Sequence, residues 1–216
     1  NPLRYFLRRY FNQEAGGGDA ANKTAFARKL DGLIAATTET ALAAELGRTR
    51  SFLGASINLR WPDSLYEQLD PQLRFENVLS ALKALLLAES RQRPLILLIE
   101  DAHWLDEDSR AFWARLARNV DEYPLAIVAT ARPLEEAGAT PIPAAIIRHE
   151  ITLSPLTAAD IEALARAHLG GAIATELVEL LMARAEGNPF FAEQMLLYLK
   201  EQALLQEDAQ GWRLND

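Results

Sequence analysis

Glu100 and Asp101 stand directly behind Leu95-Ile96-Leu97-Leu98-Ile99, a continuous apolar run that starts after Pro94. A run of this length and character predicts a strand buried on both faces, as in a parallel sheet. In an open parallel sheet, ligands bind beyond the carboxyl ends of the strands. Two acids at that point aim negative charge at the crevice. Paired carboxylates suit Mg²⁺, which takes hard oxygen ligands together with waters and substrate phosphates. One acid can hold the metal side while the other orients an attacking water. The plainer reading is that Glu100 and Asp101 open a solvated loop.

Other residues could share that chemistry. Arg132 follows a second buried-type run, Leu125-Ala126-Ile127-Val128-Ala129, with Thr130 between. An Arg at a strand end can grip a phosphate in a bidentate manner; it can equally be a surface Arg before Pro133. His103 and Asp106 could join the two acids around a transition metal. The chain has only 3 His, however, and His149 and His168 fall in other elements. His168 lies on an apolar helix face, as a core histidine would, and Asp106 is placed to N-cap the following helix. Gly187-Asn188-Pro189 reads well as a helix C′ residue, an N-cap and an N1 residue, with no ligand needed.

Residues Leu95 to Asp106, with the text Leu-Ile-Leu-Leu-Ile-Glu-Asp-Ala-His-Trp-Leu-Asp, resemble the Walker B segment of the STAND class of P-loop NTPases. The flavour is similar to the AAA-like ATPase module of large bacterial adenylate/guanylate cyclases and LuxR-type regulators. Two further stretches follow in the order of that family. Val128-Ala129-Thr130-Ala131-Arg132 resembles the sensor-1 strand, and Glu186-Gly187-Asn188-Pro189-Phe190-Phe191 resembles the Gly-x-Pro motif of the helical lid. The resemblance implies ATP and Mg²⁺ as ligands, with Glu100 on the metal side and Asp101 polarising the attacking water. It implies Thr130 and Arg132 near the γ-phosphate, and Gly187, Asn188 and Pro189 near the base. It further implies an effector domain on the same polypeptide, a cyclase or a DNA-binding domain, a cytoplasmic location, and room for a homo-oligomer.

A phosphate cradle of the form G-x-x-x-x-G-K-[ST] should lie between a strand and a helix. The nearest text is Gly17-Gly18-Asp19-Ala20-Ala21-Asn22-Lys23-Thr24, with Asn22 in place of the second Gly. A helix-like segment with Arg8 and Arg9 precedes it, not a buried strand. Lys23-Thr24 is therefore expected to be a decoy. The family's Walker A lies upstream of the region resembling Leu3–Tyr10. The chain, which begins Asn1-Pro2 without Met, is thus expected to be processed or cut from something longer, and little active alone. A non-catalytic interaction module with a vestigial nucleotide site is the alternative. A metal-dependent hydrolase using Glu100, Asp101 and His103 is a third reading.

The elements needed to position these residues are legible in outline. Leu3, Phe6, Leu7, Tyr10 and Phe11 recur at helical spacing. Gly16–Asp19 break that pattern. Ala25–Leu46 and Gln72–Glu89 predict further helices, with a turn at Trp61-Pro62-Asp63. A helix over Asp106–Asn119 between the two apolar runs makes a βαβ unit. Ile146–Leu153 predicts a third strand, exposed on one side. Thr157 and Asp160 form a capping-box start, followed by helices to Leu169, from Thr175 to Glu186, and from Asn188-Pro189 to about Gln206. Trp212-Arg213-Leu214 predicts a strand. The fold class expected is α/β. Residues 1–153 would be the C-terminal part of a P-loop NTPase sheet with a helical insertion, 154–207 an all-α lid, and 208–216 the start of a following domain.

Composition narrows the function classes. The chain has 216 residues and a formal charge of −8. Residues 1–93 carry 13 basic and 10 acidic side chains, a balance of +3, whereas 94–216 carry 9 and 20, a balance of −11. An acidic chain is a poor bulk binder of nucleic acid or anionic membrane. With no Cys, disulfide scaffolds and Cys-ligated metals are excluded. The longest apolar run is far short of the ~20 residues that a membrane span requires.

Overall fold

The computed structural model describes residues 2–14, 16, 18–132, 147, 149–209 and 211–215, and only the backbone of Pro2. It falls into two compact units, Asn1–Arg148 and His149–Asp216.

The first unit opens with helix α1 (Pro2–Tyr10), α2 (Asp19–Ala36), α3 (Thr40–Arg48), α4 (Arg50–Ser56), the one-turn α5 (Leu65–Gln68) and the long α6 (Pro71–Gln92). Most of each apolar stripe predicted by spacing turns inward, although Phe6 of the first stripe is exposed. Leu7 and Phe11 at the first helix, and Phe26 and Leu30 on the second, have no exposed surface. Ala25–Leu46 is two helices rather than one. The break at 37–39 coincides with Thr37, whose Oγ1 donates to the Leu33 carbonyl at 2.8 Å and whose backbone turns extended. Such side chain to backbone bonds compete with helix continuation. Helix α6 starts where Asp70 accepts the Leu73 N–H and Pro71 takes the first helical position. Its Leu79, Leu82, Leu85 and Leu86 fill the centre of the core. Tyr10 donates its hydroxyl to Glu89, and burial beside that carboxylate pushes the phenol pKa upward.

Strand β1 (Leu95–Ile99) follows, then a 3₁₀ turn over Ala102–Trp104, helix α7 (Glu107–Leu116) and strand β2 (Leu125–Ala129). The two strands pair in parallel, with Leu95 opposite Leu125 and Ile99 opposite Ala129. Leu95, Leu97, Leu125 and Ile127 pack onto the core shared by α6 and by Phe112 and Leu116 of α7. The opposite face is bare, with Ile96 73 % and Leu98 60 % exposed. Burial of β1 on both faces is therefore corrected to burial on one. The side chains that cover it come from helices gathered on one side of the pair. Arg91 closes the far end of the sheet: it pairs with Glu39 at 2.5 Å, while Tyr123 donates to the same carboxylate at 2.9 Å.

The second unit contains α8 (Ala158–Leu169), α9 (Thr175–Ala185), α10 (Pro189–Glu201) and an antiparallel hairpin of β3 (Leu205–Asp208) and β4 (Gly211–Leu214). The capping box is present, with Thr157 and Asp160 each satisfying the other's backbone. Ile161, Ala165, Leu177, Leu181 and Leu196 form a separate core, against which Trp212 and Leu214 of the hairpin pack. Helix α10 stops five residues before the predicted Gln206, because Ala203 turns left-handed and Leu205 begins a strand. No strand forms over 149–153, where Ile151 and Leu153 are exposed; Ile146 and Arg148 lie outside the described residues. A strand exists only through its neighbour's hydrogen bonds, and the described residues offer this segment none. His168 is also corrected: it is exposed, its Nδ1 3.3 Å from the Leu164 carbonyl, not a core histidine. Among the described residues no helix is long and apolar enough to cross a membrane.

Candidate functional site

The site is built at the carboxyl ends of the two parallel strands. Ile99 is the last buried residue of β1. Thr130 continues the ladder by donating its N–H to the Ile99 carbonyl at 2.9 Å. There β1 leaves the sheet. Glu100 and Asp101 form a turn, both exposed, and Asp101 adopts the left-handed conformation at φ 53° and ψ 46°. That region is costly for most residues, though Asp enters it more readily than others. Thr130 holds the turn from across the sheet. Its Oγ1 accepts the Asp101 N–H at 3.2 Å, and its carbonyl accepts the Ala102 N–H at 2.7 Å. Ala102 is fully buried below.

The next three residues complete the turn. His103 points inward with 11 % of its side chain exposed, while Trp104 stands out at 81 %. His103 Nδ1 lies 4.0 Å from Asp101 Oδ1, beyond hydrogen-bond range, and accepts instead the Arg132 N–H at 3.3 Å. Asp106 accepts the Ser109 N–H at 2.7 Å as N-cap of α7, and hydrogen bonding from the Ser109 side chain, then from its backbone, holds the Asp106 carboxyl below the usual carboxylate range. Asp106 is thus occupied as a helix cap, which agrees with the plainer of its two sequence readings.

The structure brings Glu100, Asp101, His103, Thr130 and Arg132 to one edge. Gly187, Asn188 and Pro189 belong to the second unit. There Gly187 has φ 77°, and a Cβ on it would stand 2.7 Å from the Leu156 carbonyl oxygen. Asn188 accepts the Phe190 N–H at 3.0 Å and Pro189 opens α10. Lys23 and Thr24 sit in the first two turns of α2. Lys23 pairs with Asp19 at 2.7 Å and Thr24 donates to the Ala20 carbonyl at 2.8 Å. Neither lies in a strand–loop–helix turn, so the decoy reading agrees with the fold. The His103 bond to Arg132 and the left-handed Asp101 were not read from the sequence. The only advance signal was an Asp, tolerant of that conformation, directly after a strand.

Among the described residues no group of three or more His, Asp or Glu side chains could hold a metal ion on its own. Mg²⁺ asks for less, since it is commonly bound by one or two carboxylates plus waters and phosphates. The exposed Glu100 and Asp101 fit that donor set.

A short parallel strand pair with acids at its carboxyl edge, inside a helix-rich unit, is compatible with part of a P-loop NTPase-like α/β fold. Residues 3–128 match the family model described as AAA ATPase domain. That is more than half of the chain, and the chain belongs to this family of ATP-binding, P-loop NTPase modules. A curated relative, an uncharacterized protein of Rhizobium meliloti (strain 1021), is 36% identical over 64 residues. The match covers 30% of this chain and 6% of the relative, so the chain spans a small part of that protein's length. No solved structure matches the chain.

Proposed function

We propose that the chain is part of an ATP-binding and ATP-hydrolysing regulatory module of the STAND class, in a multidomain signalling protein of the cyclase-associated or LuxR-type regulator kind. The supporting observation is the pair of exposed acids on a turn that Thr130 holds from the neighbouring parallel strand. In this reading residues 1–153 are the C-terminal part of the nucleotide-binding domain and 154–207 its helical lid. The phosphate cradle is a P-loop outside these residues, since Lys23-Thr24 lies within a helix. ATP binding and hydrolysis toggle the lid, and thereby an effector domain on the same polypeptide.

The acids divide the work. Glu100 holds the Mg²⁺ side; the ion, when bound, neutralises charge on the phosphates. Asp101 orients and polarises the attacking water. Its left-handed backbone turns its own N–H toward Thr130 and leaves 66 % of the side chain exposed. Thr130 and Arg132 face the γ-phosphate from the second strand, where a guanidinium can pair with phosphate oxygens. Gly187, Asn188 and Pro189 approach the base.

The test is Asp101→Asn in the full-length protein. Loss of a water-orienting base lowers kcat by at least about a hundredfold, while Mg²⁺·ATP affinity stays within about threefold. Turnover equal to wild type contradicts the role of Asp101. A full-length protein that binds no ATP supports the rival, a non-catalytic interaction module with a vestigial site.

A further inference from the structure

We propose that His103 is a positioning residue that ties the loop after β1 to the end of β2, so that Glu100, Asp101 and Arg132 are held as one unit. The proposal rests on the ATP-site reading for its consequence, though not for its geometry.

Parallel strands stay in register while each has backbone partners to offer. The β1–β2 ladder ends at the Thr130 N–H, which finds the Ile99 carbonyl. Beyond it β1 has turned away, and the chain of β2 runs on to Arg132 without a strand beside it. Thr130 returns two bonds to the turn, to Asp101 and Ala102. Two residues beyond Thr130, past the end of β2, the Arg132 N–H is met by a side chain instead of a backbone carbonyl: His103 Nδ1, at 3.3 Å. The imidazole thus supplies the rung that the ladder lacks.

The rest of the ring's surroundings agree. His103 is mostly covered, although Trp104 beside it stands in solvent. A ring free to serve solvent would share that exposure. At 4.0 Å the Asp101 carboxylate does not compete for Nδ1. Asp101 keeps most of its side chain open at the exposed edge. His103 touches neither nucleotide nor water in this account. It acts through the backbone of Arg132.

Two substitutions separate the acceptor from the ring. His103→Asn places an amide oxygen at the same bond distance from Cβ as Nδ1, and His103→Phe keeps the ring without an acceptor. His103→Ala removes both and stands in where the Phe ring does not fit. The first readout is amide hydrogen exchange at Arg132, resolved by NMR on the chain without nucleotide. Loss of one hydrogen bond speeds that exchange about tenfold in His103→Phe and His103→Ala, while His103→Asn stays near wild type. The second readout is hydrolysis by the full-length protein. There kcat falls about tenfold in the Phe variant with KM within about twofold, and Asn restores it. Unchanged exchange at Arg132 in the Phe and Ala variants overturns the proposal, as does an Asn variant that behaves like Phe. Faster exchange together with a wild-type protein that never hydrolyses ATP upholds the strap and overturns the ATPase reading alone.

Discussion

At the end of β1 the backbone of Asp101 is held by Thr130, 29 residues along the chain. At the start of α10 the side chain of Asn188 holds Phe190, two residues along. Both places carry family-like motifs, but they are constrained differently. Around Gly187-Asn188-Pro189 every feature has a packing purpose. Glu186 and Gly187 end α9 in left-handed conformations, Gly187 lets the Pro155–Leu156 segment approach, and Asn188 and Pro189 begin the next helix. Around Asp101 the left-handed residue neither caps an α-helix nor sits in the ladder. It is bonded across the sheet and leaves two acids exposed. The strand end therefore carries the functional reading, and the helix start is structure that a ligand would exploit only secondarily.

Three substitutions sharpen that contrast. Gly187→Ala has the largest effect. A Cβ there meets backbone at 2.7 Å with φ at 77°, and left-handed strain and overpacking together cost at least about 2 kcal/mol. Thermal unfolding of the second unit should drop accordingly; a melt unchanged from wild type would show that the close approach is not real. Asn188→Ala removes the cap of α10 and costs about 1 kcal/mol, read in the same melt. If Asn188→Ala instead weakened ATP binding with no loss of stability, the contrast between the two regions would break. Thr130→Val is the smallest in stability, about 0.5–1 kcal/mol for the one side-chain bond lost. Its signature is faster amide exchange at Asp101, with the Ala102 amide still protected by the Thr130 carbonyl. Equal exchange at Asp101 in both proteins would remove the cross-sheet tie from the account.

Much of the site's framework was legible. Leu95–Ile99 and Leu125–Ala129 form the strands at the predicted bounds, because short β-rich apolar runs after Pro94 and Pro124 have few alternatives. Asp106 and Thr157 were legible as caps because capping is local. Three features were not. The bare face of β1 depends on which helices lie beside the sheet, and the pattern of Leu95–Ile99 carries no information about that. The break at Thr37 came from a side-chain bond within an otherwise good helical pattern. His103 was weighed only as a metal ligand, since its true partner is a backbone N–H 29 residues away. The proposed site residues Glu100, Asp101, Thr130 and Arg132 were singled out by order and type. Their geometry, with a left-handed acid and a threonine tie, arises from contacts between segments and could not be read from either segment.

In the proposed function, nucleotide is met at the carboxyl edge of β1 and β2 and not at Lys23-Thr24. Calorimetric titration of Mg²⁺·ATP into the full-length protein, with Lys23→Ala and Glu100→Gln beside wild type, tests it most directly. Lys23→Ala is expected to bind as wild type, and Glu100→Gln to lose at least about tenfold in affinity, the scale of one charged contact. Binding abolished by Lys23→Ala and untouched by Glu100→Gln would contradict it.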